Sequence, residues 1–400
     1  MAMSKLEELL EDYCPDGVEY KKIKDCYQRL RGTPITAAKM KEIQNADGDI
    51  KIFAGGKTVI NAFEKDIPKA NVIRVPSVLV QSRGIIDAVY YDQPFTFKNE
   101  MWAYTSNNPL EVKFLYYVLK NNVEYFRSAA SGMGSLPQIS LKVTEEFEIP
   151  VPPLPVQEEI VRILDMFTGL TAELTAELTA RKKQYEYYRD QILTFDSSRL
   201  KDSQIRSCTL KDICKSITSG GTPKRTIRTY YENGNIPWLR TQEVDWKPIY
   251  NTGVSITEEG LKNSSAKWIP EHCVIIAMYG ATAGKSAINE IPLTTNQACC
   301  NLEINDQVAL YKYVYYWVTN QYENLKGLGQ GSQNNINAQT VKKFPIMLPS
   351  IEKQKEIVKL LDHFDTLCSD ISDGLPAEIE AREKQYEYYR DKLLTFKRKA

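Results

Sequence analysis

Residues Gln184–Phe195 read QYEYYRDQILTF, and Gln385–Phe396 read QYEYYRDKLLTF. A second matching pair lies upstream of each: Gln157–Phe167 (QEEIVRILDMF) and Gln354–Phe364 (QKEIVKLLDHF). Two copies about half a chain apart imply a duplicated module, with two related packing or binding sites in one polypeptide. The stretches between the copies diverge, which suits one scaffold carrying two different recognition units.

Working outward from Ile160, apolar positions recur in steps of four and three: Ile160, Leu164, Phe167, Thr171, Leu174, Leu178, Arg181, Tyr185, Tyr188, Ile192 and Phe195. The second copy runs Ile357, Leu361, Phe364, Cys368, Ile371, Leu375, Ile379, Arg382, Tyr386, Tyr389, Leu393 and Phe396. Such spacing predicts a coiled-coil seam on a long helix, with the seam arginine repeated. At a rise of 1.5 Å per residue each helix would be roughly 60 Å long. The second copy carries one extra four-residue step containing Gly374 and Pro376, which predicts a kink or a restart with Pro376 in a first turn. Two such helices are expected to pair antiparallel as a rod; the alternative is that each packs only on its own domain.

Each helix is preceded by a short proline-ended strand, Phe147–Pro155 (FEIPVPPLP) and Phe344–Pro349 (FPIMLP). Before these, residues 18–150 and 207–345 show strand-like runs such as Ile73–Gln81 and Val274–Tyr279. Turn signals separate the runs at Gly55-Gly56, Asn107-Asn108-Pro109, Asn233-Gly234 and Gly280. Each region also has one aromatic amphipathic helix, Val112–Arg127 and Val308–Leu325, and Gly32-Thr33-Pro34 answers Gly221-Thr222-Pro223. The expected fold is α+β: two mixed α/β domains joined by two long antiparallel helices. The segments are 1–153, 154–197, 198–350 and 351–400.

Composition narrows the class. With 51 Lys and Arg against 51 Asp and Glu the net charge is zero, so binding to an acidic polymer would need a basic face balanced elsewhere. The apolar runs are too short to span a bilayer and no leader pattern is visible. Eight cysteines without C-x-x-C pairs fit reduced thiols in a cytoplasmic protein, with no membrane association.

The catalytic motifs fail on spacing. Gly280–Ser286 (GATAGKS) has three residues between its glycines where a phosphate-binding loop has four, and leads to Pro292 rather than a helix. A strand, a turn and a return strand, with Tyr279 and Lys285 at the tip, is the better reading. Asp16 and Glu19 stand too close in sequence for a nuclease core and read as a surface turn. His272 and His363 are isolated, which argues against a metal cluster or a histidine triad. No Asp- or Asn-Pro-Pro-aromatic tetrad and no glycine-rich cofactor loop is present, so no catalytic, metal or cofactor residue is assigned.

What remains is recognition chemistry. Polar turns supply Arg31, Thr33, Lys57, Ser82 and Arg83 in the first domain. The second supplies Thr222, Lys224, Arg225, Arg240, Thr241, Gln242, Tyr279, Lys285, Asn296, Gln297 and Asn334. Arginine and lysine suit guanine edges and phosphates, asparagine and glutamine suit adenine edges. The helix pair would be sealed by Leu164, Phe167, Leu174, Leu178, Tyr185 and Tyr188 against Leu361, Phe364, Leu375, Tyr386 and Tyr389.

At these residues the chain resembles the specificity (S) subunit of type I restriction–modification enzymes. The matching stretches are Tyr13–Lys22, Ser219–Pro223, Ile236-Pro237-Trp238, Ile275 with Ala277–Thr282, Thr295–Ala298 and the double Gln-Tyr-Glu-Tyr-Tyr-Arg-Asp block. The resemblance implies two target recognition domains, each reading one half of a bipartite double-stranded DNA site, with the helices setting the gap. It implies docking of modification (methyltransferase) subunits, two in number, and of restriction (translocase/endonuclease) subunits. Those partners would use S-adenosylmethionine, ATP and magnesium, leaving this chain non-catalytic. Thr171–Leu178, TAELTAEL, would act as a spacer whose copy number sets the gap. Two other classes stand against this reading: a coiled-coil scaffold without DNA function, and a nucleotide-binding enzyme using Gly280–Ser286.

Overall fold

The computed structural model describes residues 2–131, 136–194, 205–329, 335–369 and 374–399. The chain divides into two compact units: Met1–Thr175 with Glu378–Ala400, and Ala176–Ala377. The seam positions Phe195 and Ile371 and the candidate Asn334 lie outside the described residues.

In the first unit, a four-stranded antiparallel sheet runs Gln28–Leu30, Trp102–Thr105, Ser77–Gln81, Asp87–Tyr91. A three-stranded sheet runs Val59–Ala62, Ile50–Phe53, Phe95–Phe97, its last pair parallel. β-Branched and aromatic residues fill these strands, as a pleated, half-buried surface favours. The expected run from Ile73 is shorter, because Pro76 has no N–H for a ladder; Ile73 makes only an isolated bridge to Phe95.

The second unit repeats the plan. Its four-stranded antiparallel sheet is Cys214–Ser219, Cys299–Ile304, Val274–Ala277, Ser286–Ile288. Its other sheet is Ser255–Ile256, Ile236–Leu239, Leu293–Thr295, Trp268–Ile269, again with a parallel pair in the middle. A two-stranded antiparallel ribbon closes each domain, Tyr20–Lys22 with Glu148–Pro150 and Arg206–Thr209 with Pro345–Leu348. Each aromatic helix is broken in two where one had been expected: Pro109–Asn121 then Val123–Ser128, and Tyr311–Asn320 then Tyr322–Gly327. Asn122 and Gln321 leave helical geometry at the breaks (ψ 18° and 17°).

Leu154–Leu193 is a single helix of 40 residues. The second copy forms two helices, Ile351–Ser369 and Leu375–Leu393, with Pro376 in the first turn of the latter, where its missing N–H costs no helical bond. Gln157 and Gln354, buried at equivalent helix starts, donate to the carbonyls of Pro152 (2.8 Å) and Pro349 (2.9 Å). Among the described residues no helix is long and apolar enough to cross a membrane.

The two helical copies are shared between the units in a particular way. In the first unit the start of the long helix packs on its own domain, while the tail block of the second copy packs beside it. Phe167 stacks on Tyr389 (5.4 Å, 20°), and Arg390 donates to Asn121 at 2.8 Å. In the second unit the tail of the long helix lies antiparallel to Ile351–Ser369. Phe364 stacks on Tyr185 (6.1 Å) and Tyr188 (6.0 Å), and Arg189 donates to Asn320 at 3.0 Å. Leu164, Leu361 and Leu375 are buried, and Leu174, Leu178, Tyr386 and Tyr389 half-buried, whereas Tyr188 keeps 41% exposure. The hydroxyls of Thr171 and Thr175 bond back to the carbonyls four residues earlier, at 3.0 and 2.7 Å, so a polar seam position leaves no donor unpaired.

Candidate nucleic-acid interface

Backbone hydrogen bonds bring the turns of the two domains into correspondence. Thr33 N–H donates to the Phe97 carbonyl (2.7 Å), as Gly221 N–H does to Thr295 (3.0 Å). This pairs Gly32 with Gly220, one residue away from the alignment expected from Gly-Thr-Pro. The reason is steric: a Cβ at Gly32 would fall 2.0 Å from the Phe97 oxygen, and at Gly220 1.9 Å from that of Thr295. Lys98 N–H to Phe53 and Asn296 N–H to Leu239 (3.0 and 2.9 Å) pair the next turn, and with it Lys98-Asn99-Glu100 with Asn296-Gln297-Ala298.

In the first domain these turns line two cavities that share Glu100. One, of about 400 Å³, is bounded by Gly55, Gly56, Arg83, Gly84, Lys98 and Lys41. The other, about 590 Å³, is bounded by Arg29, Arg31, Gly32, Asn99 and Gln138. Arg31, Lys57 and Arg83 are exposed. Thr33 and Ser82, expected among the contacts, are instead fully buried. Thr33 shares a hydrogen bond with Thr96 (2.7 Å) and accepts from Asn71 N–H (2.9 Å), and Ser82 donates to the Glu100 carbonyl. Lys41, Lys98 and Glu100 also line the first cavity, beyond the residues that the sequence singles out. The signal for Lys98 and Glu100 lay in their equivalence to Asn296–Ala298, hidden by divergence of the first domain.

In the second domain Lys224, Arg225, Gln242 and Tyr279 are exposed, and Thr241 is half-buried, its carbonyl accepting from Thr282 at 2.8 Å. Thr222 donates to the Gln297 side chain, fixing both polar groups to each other. Asn296 folds its side-chain oxygen onto Ala298 N–H (3.2 Å), a self-contained Asx turn. Arg240 is paired with Glu243 (3.0 Å). Lys285, expected at the tip, turns inward: its ammonium bridges Asp245 and sits 4.3 Å from the Trp246 ring centroid. An aliphatic stem with its charge on an aromatic face is more favourably placed there than in water.

Gly280–Thr282 forms a single 3₁₀ turn and Ser286–Ile288 is a strand. The loop therefore presents no helix N-terminus to a phosphate, which is the feature a nucleotide site needs. His272 stacks on Tyr311 (4.6 Å) with Nε2 3.4 Å from Glu290, and His363 is exposed on its helix. All eight cysteines are free thiols. Burial pushes Cys214, Cys273 and Cys300 up to about 12, which keeps them protonated and unreactive at neutral pH.

The chain is thus a duplicated α+β domain with duplicated helices. The family model for the type I restriction modification DNA specificity domain matches the chain twice, at residues 15–181 and 203–381, and the chain belongs to that family. It is 35% identical over 361 residues to the Type I restriction enzyme EcoR124I/EcoR124II specificity subunit of Escherichia coli, covering 87% of each chain. Its fold is similar to that of a type I restriction–modification S subunit from M. genitalium, with a TM-score of 0.61 at 18% identity over 94% of this chain and 96% of that one. A chain from a structure of type I restriction–modification complex assembly superposes with a TM-score of 0.58 at 16% identity, covering 95% and 98%. Proteins of this class are specificity subunits and not the catalysts of their systems.

Proposed function

We propose that this chain reads a bipartite duplex DNA site, one half-site per domain, and carries the modification and restriction subunits that act there. The observation that supports this most directly is the pair of equivalent turn sets, held on the same backbone plan but bearing different polar side chains. A common frame with divergent tips is what recognition of two different sequences requires, since base edges are distinguished by the donor and acceptor groups presented to them. Exposed Arg31, Lys57, Arg83, Lys224 and Arg225 supply cations for phosphates or guanines, and Gln242 can serve adenine.

The repeated helical blocks are the docking elements in this reading, and two copies provide for two modification subunits. S-adenosylmethionine, ATP and magnesium belong to the partners, as does the chemistry. The isolated chain is expected to show no methyl transfer, cleavage or ATP hydrolysis, and to give site-specific methylation only with the modification subunit. Mapping methylated adenines across a genome with and without this chain tests the reading. Methylation of one split sequence that disappears with the chain supports it; an unchanged pattern refutes it.

A further inference from the structure

The strongest correspondence between the two domains lies at the tip between two strands of each four-stranded sheet. Ile139 N–H donates to the Ser82 carbonyl at 3.0 Å, and Ile336 N–H to the Met278 carbonyl at 2.8 Å. The sheet registers agree, with Val80 opposite Trp102 and Ile276 opposite Cys300. Arg83 and Tyr279 thus occupy the same position, and each precedes a glycine in the left-handed region, Gly84 at φ +79° and Gly280 at φ +80°. A Cβ at Gly280 would meet nothing within 4 Å, so backbone conformation rather than crowding requires glycine there. The strand-end position and the left-handed glycine after it are shared, while the loops that follow differ in length, five residues to Asp87 and eight to Ser286; the side chain presented at the shared position differs too.

Both side chains are unspent. Arg83 is exposed and its guanidinium makes no ion pair or hydrogen bond among the described residues, although it borders the cavity of about 400 Å³. Tyr279 is 41% exposed, and its ring and hydroxyl have no partner among the described residues. Neighbouring cations are committed instead: Lys98 to Glu100, Arg240 to Glu243, Lys285 to Asp245.

We propose that this shared position is a specificity-determining contact in each domain. Arg83 selects a guanine in the half-site of the first domain, its forked donors matching the O6 and N7 acceptors of the major-groove edge. Tyr279 takes the same place in the second half-site and lays its apolar ring against a thymine methyl. The assignment rests on the DNA-reading function proposed above.

The test uses the full chain assembled with its modification subunit, and maps the methylated site for the wild type and for R83K, R83A and Y279A. R83K and R83A lose about fivefold or more of their discrimination at one base pair of one half-site and leave the other half-site unchanged, one bidentate contact being worth about 1–3 kcal/mol, or roughly five- to 150-fold. Y279A relaxes one position of the other half-site only. Replacing the thymine at that position with uracil slows methylation by the wild type and not by Y279A. Wild-type discrimination by R83A, or a loss spread evenly over all sequences, means that Arg83 reads no base edge and overturns the assignment. If the wild-type assembly methylates no split site, the functional reading itself fails; if it does and the Arg83 and Tyr279 variants keep the same site, this inference alone is wrong.

Discussion

Glu159 holds a carboxylate almost wholly out of water, 1% exposed, against Arg162 (2.6 and 3.0 Å) and Lys5 (3.0 Å). The Arg162 bonds outweigh desolvation, with Lys5 adding to them, and hold the acid at about 2 against an ordinary 4.5. A depressed folded pKa adds stability that is complete above the unfolded value and is lost as pH falls through the folded one. Glu159→Gln should therefore lower the melting temperature at pH 7, with the gap from wild type shrinking below pH 4.5 and closing near pH 2. Melting curves across that range check it; a gap independent of pH would mean the carboxylate charge contributes nothing. Aromatic seam residues make a second case. Tyr389, half-buried and stacked on Phe167, should cost more on truncation to alanine than Tyr188, which remains 41% exposed. A stacked pair contributes roughly 0.5–1.5 kcal/mol beyond area burial, so Tyr389→Ala should show at least that loss in denaturant unfolding. Periodicity placed these tyrosines on the seam, but it carries no measure of how deeply a wide helix face is covered. Nor could it separate buried Thr33 and Ser82 from exposed Arg83, because turn residues have the same composition whether their hydroxyls face water or a carbonyl.

Between elements, the same latch appears in both units. Asp165 accepts from Tyr117 (2.5 Å) and pairs with Lys113 (2.7 Å), while Asp362 accepts from Tyr316 and pairs with Lys312, both at 2.7 Å. Each latch ties the start of a repeated helix to the aromatic helix of the domain before it. Tyr316 is 4% exposed, so removal of its acceptor strands a buried hydroxyl, a penalty of about 1–3 kcal/mol. Asp362→Ala should destabilise the second unit by that amount, with Asp362→Asn milder because an acceptor remains; equal loss from both variants would show that the charge pair with Lys312 dominates. The helices themselves were legible in the sequence through their period, their proline entries and the Gly374-Pro376 restart. The breaks at Asn122 and Gln321 were not, because apolar spacing continues across them and only the backbone changes direction.

At the scale of the whole molecule, exchange of residues 18–150 for the equivalent region of a relative should change one half-site and leave the other intact. Methylome mapping of the exchange decides it, and simultaneous change of both half-sites would defeat the modular reading. The boundary between the units falls within Thr171–Leu178, after Thr175. Insertion of one further Thr-Ala-Glu-Leu adds about 6 Å of helix, one to two base-pair steps of roughly 3.4 Å. Both half-site sequences should persist with a longer gap between them, and an unaltered gap in the insertion variant would show that these helices do not measure DNA. The duplication, the two α+β domains, the long helices and the family were all legible in the sequence, because repeats, apolar period and turn chemistry are properties of neighbouring residues. Which tail packs on which domain was decided only in three dimensions. Arg390 meets Asn121 from 269 residues away, and Arg189 meets Asn320 from 131. Val18 likewise bonds Lys397 and Lys399 at 2.8 and 3.0 Å. Two nearly identical blocks have nearly the same local preferences, so the burial and hydrogen bonds gained on folding determine the domain to which each belongs.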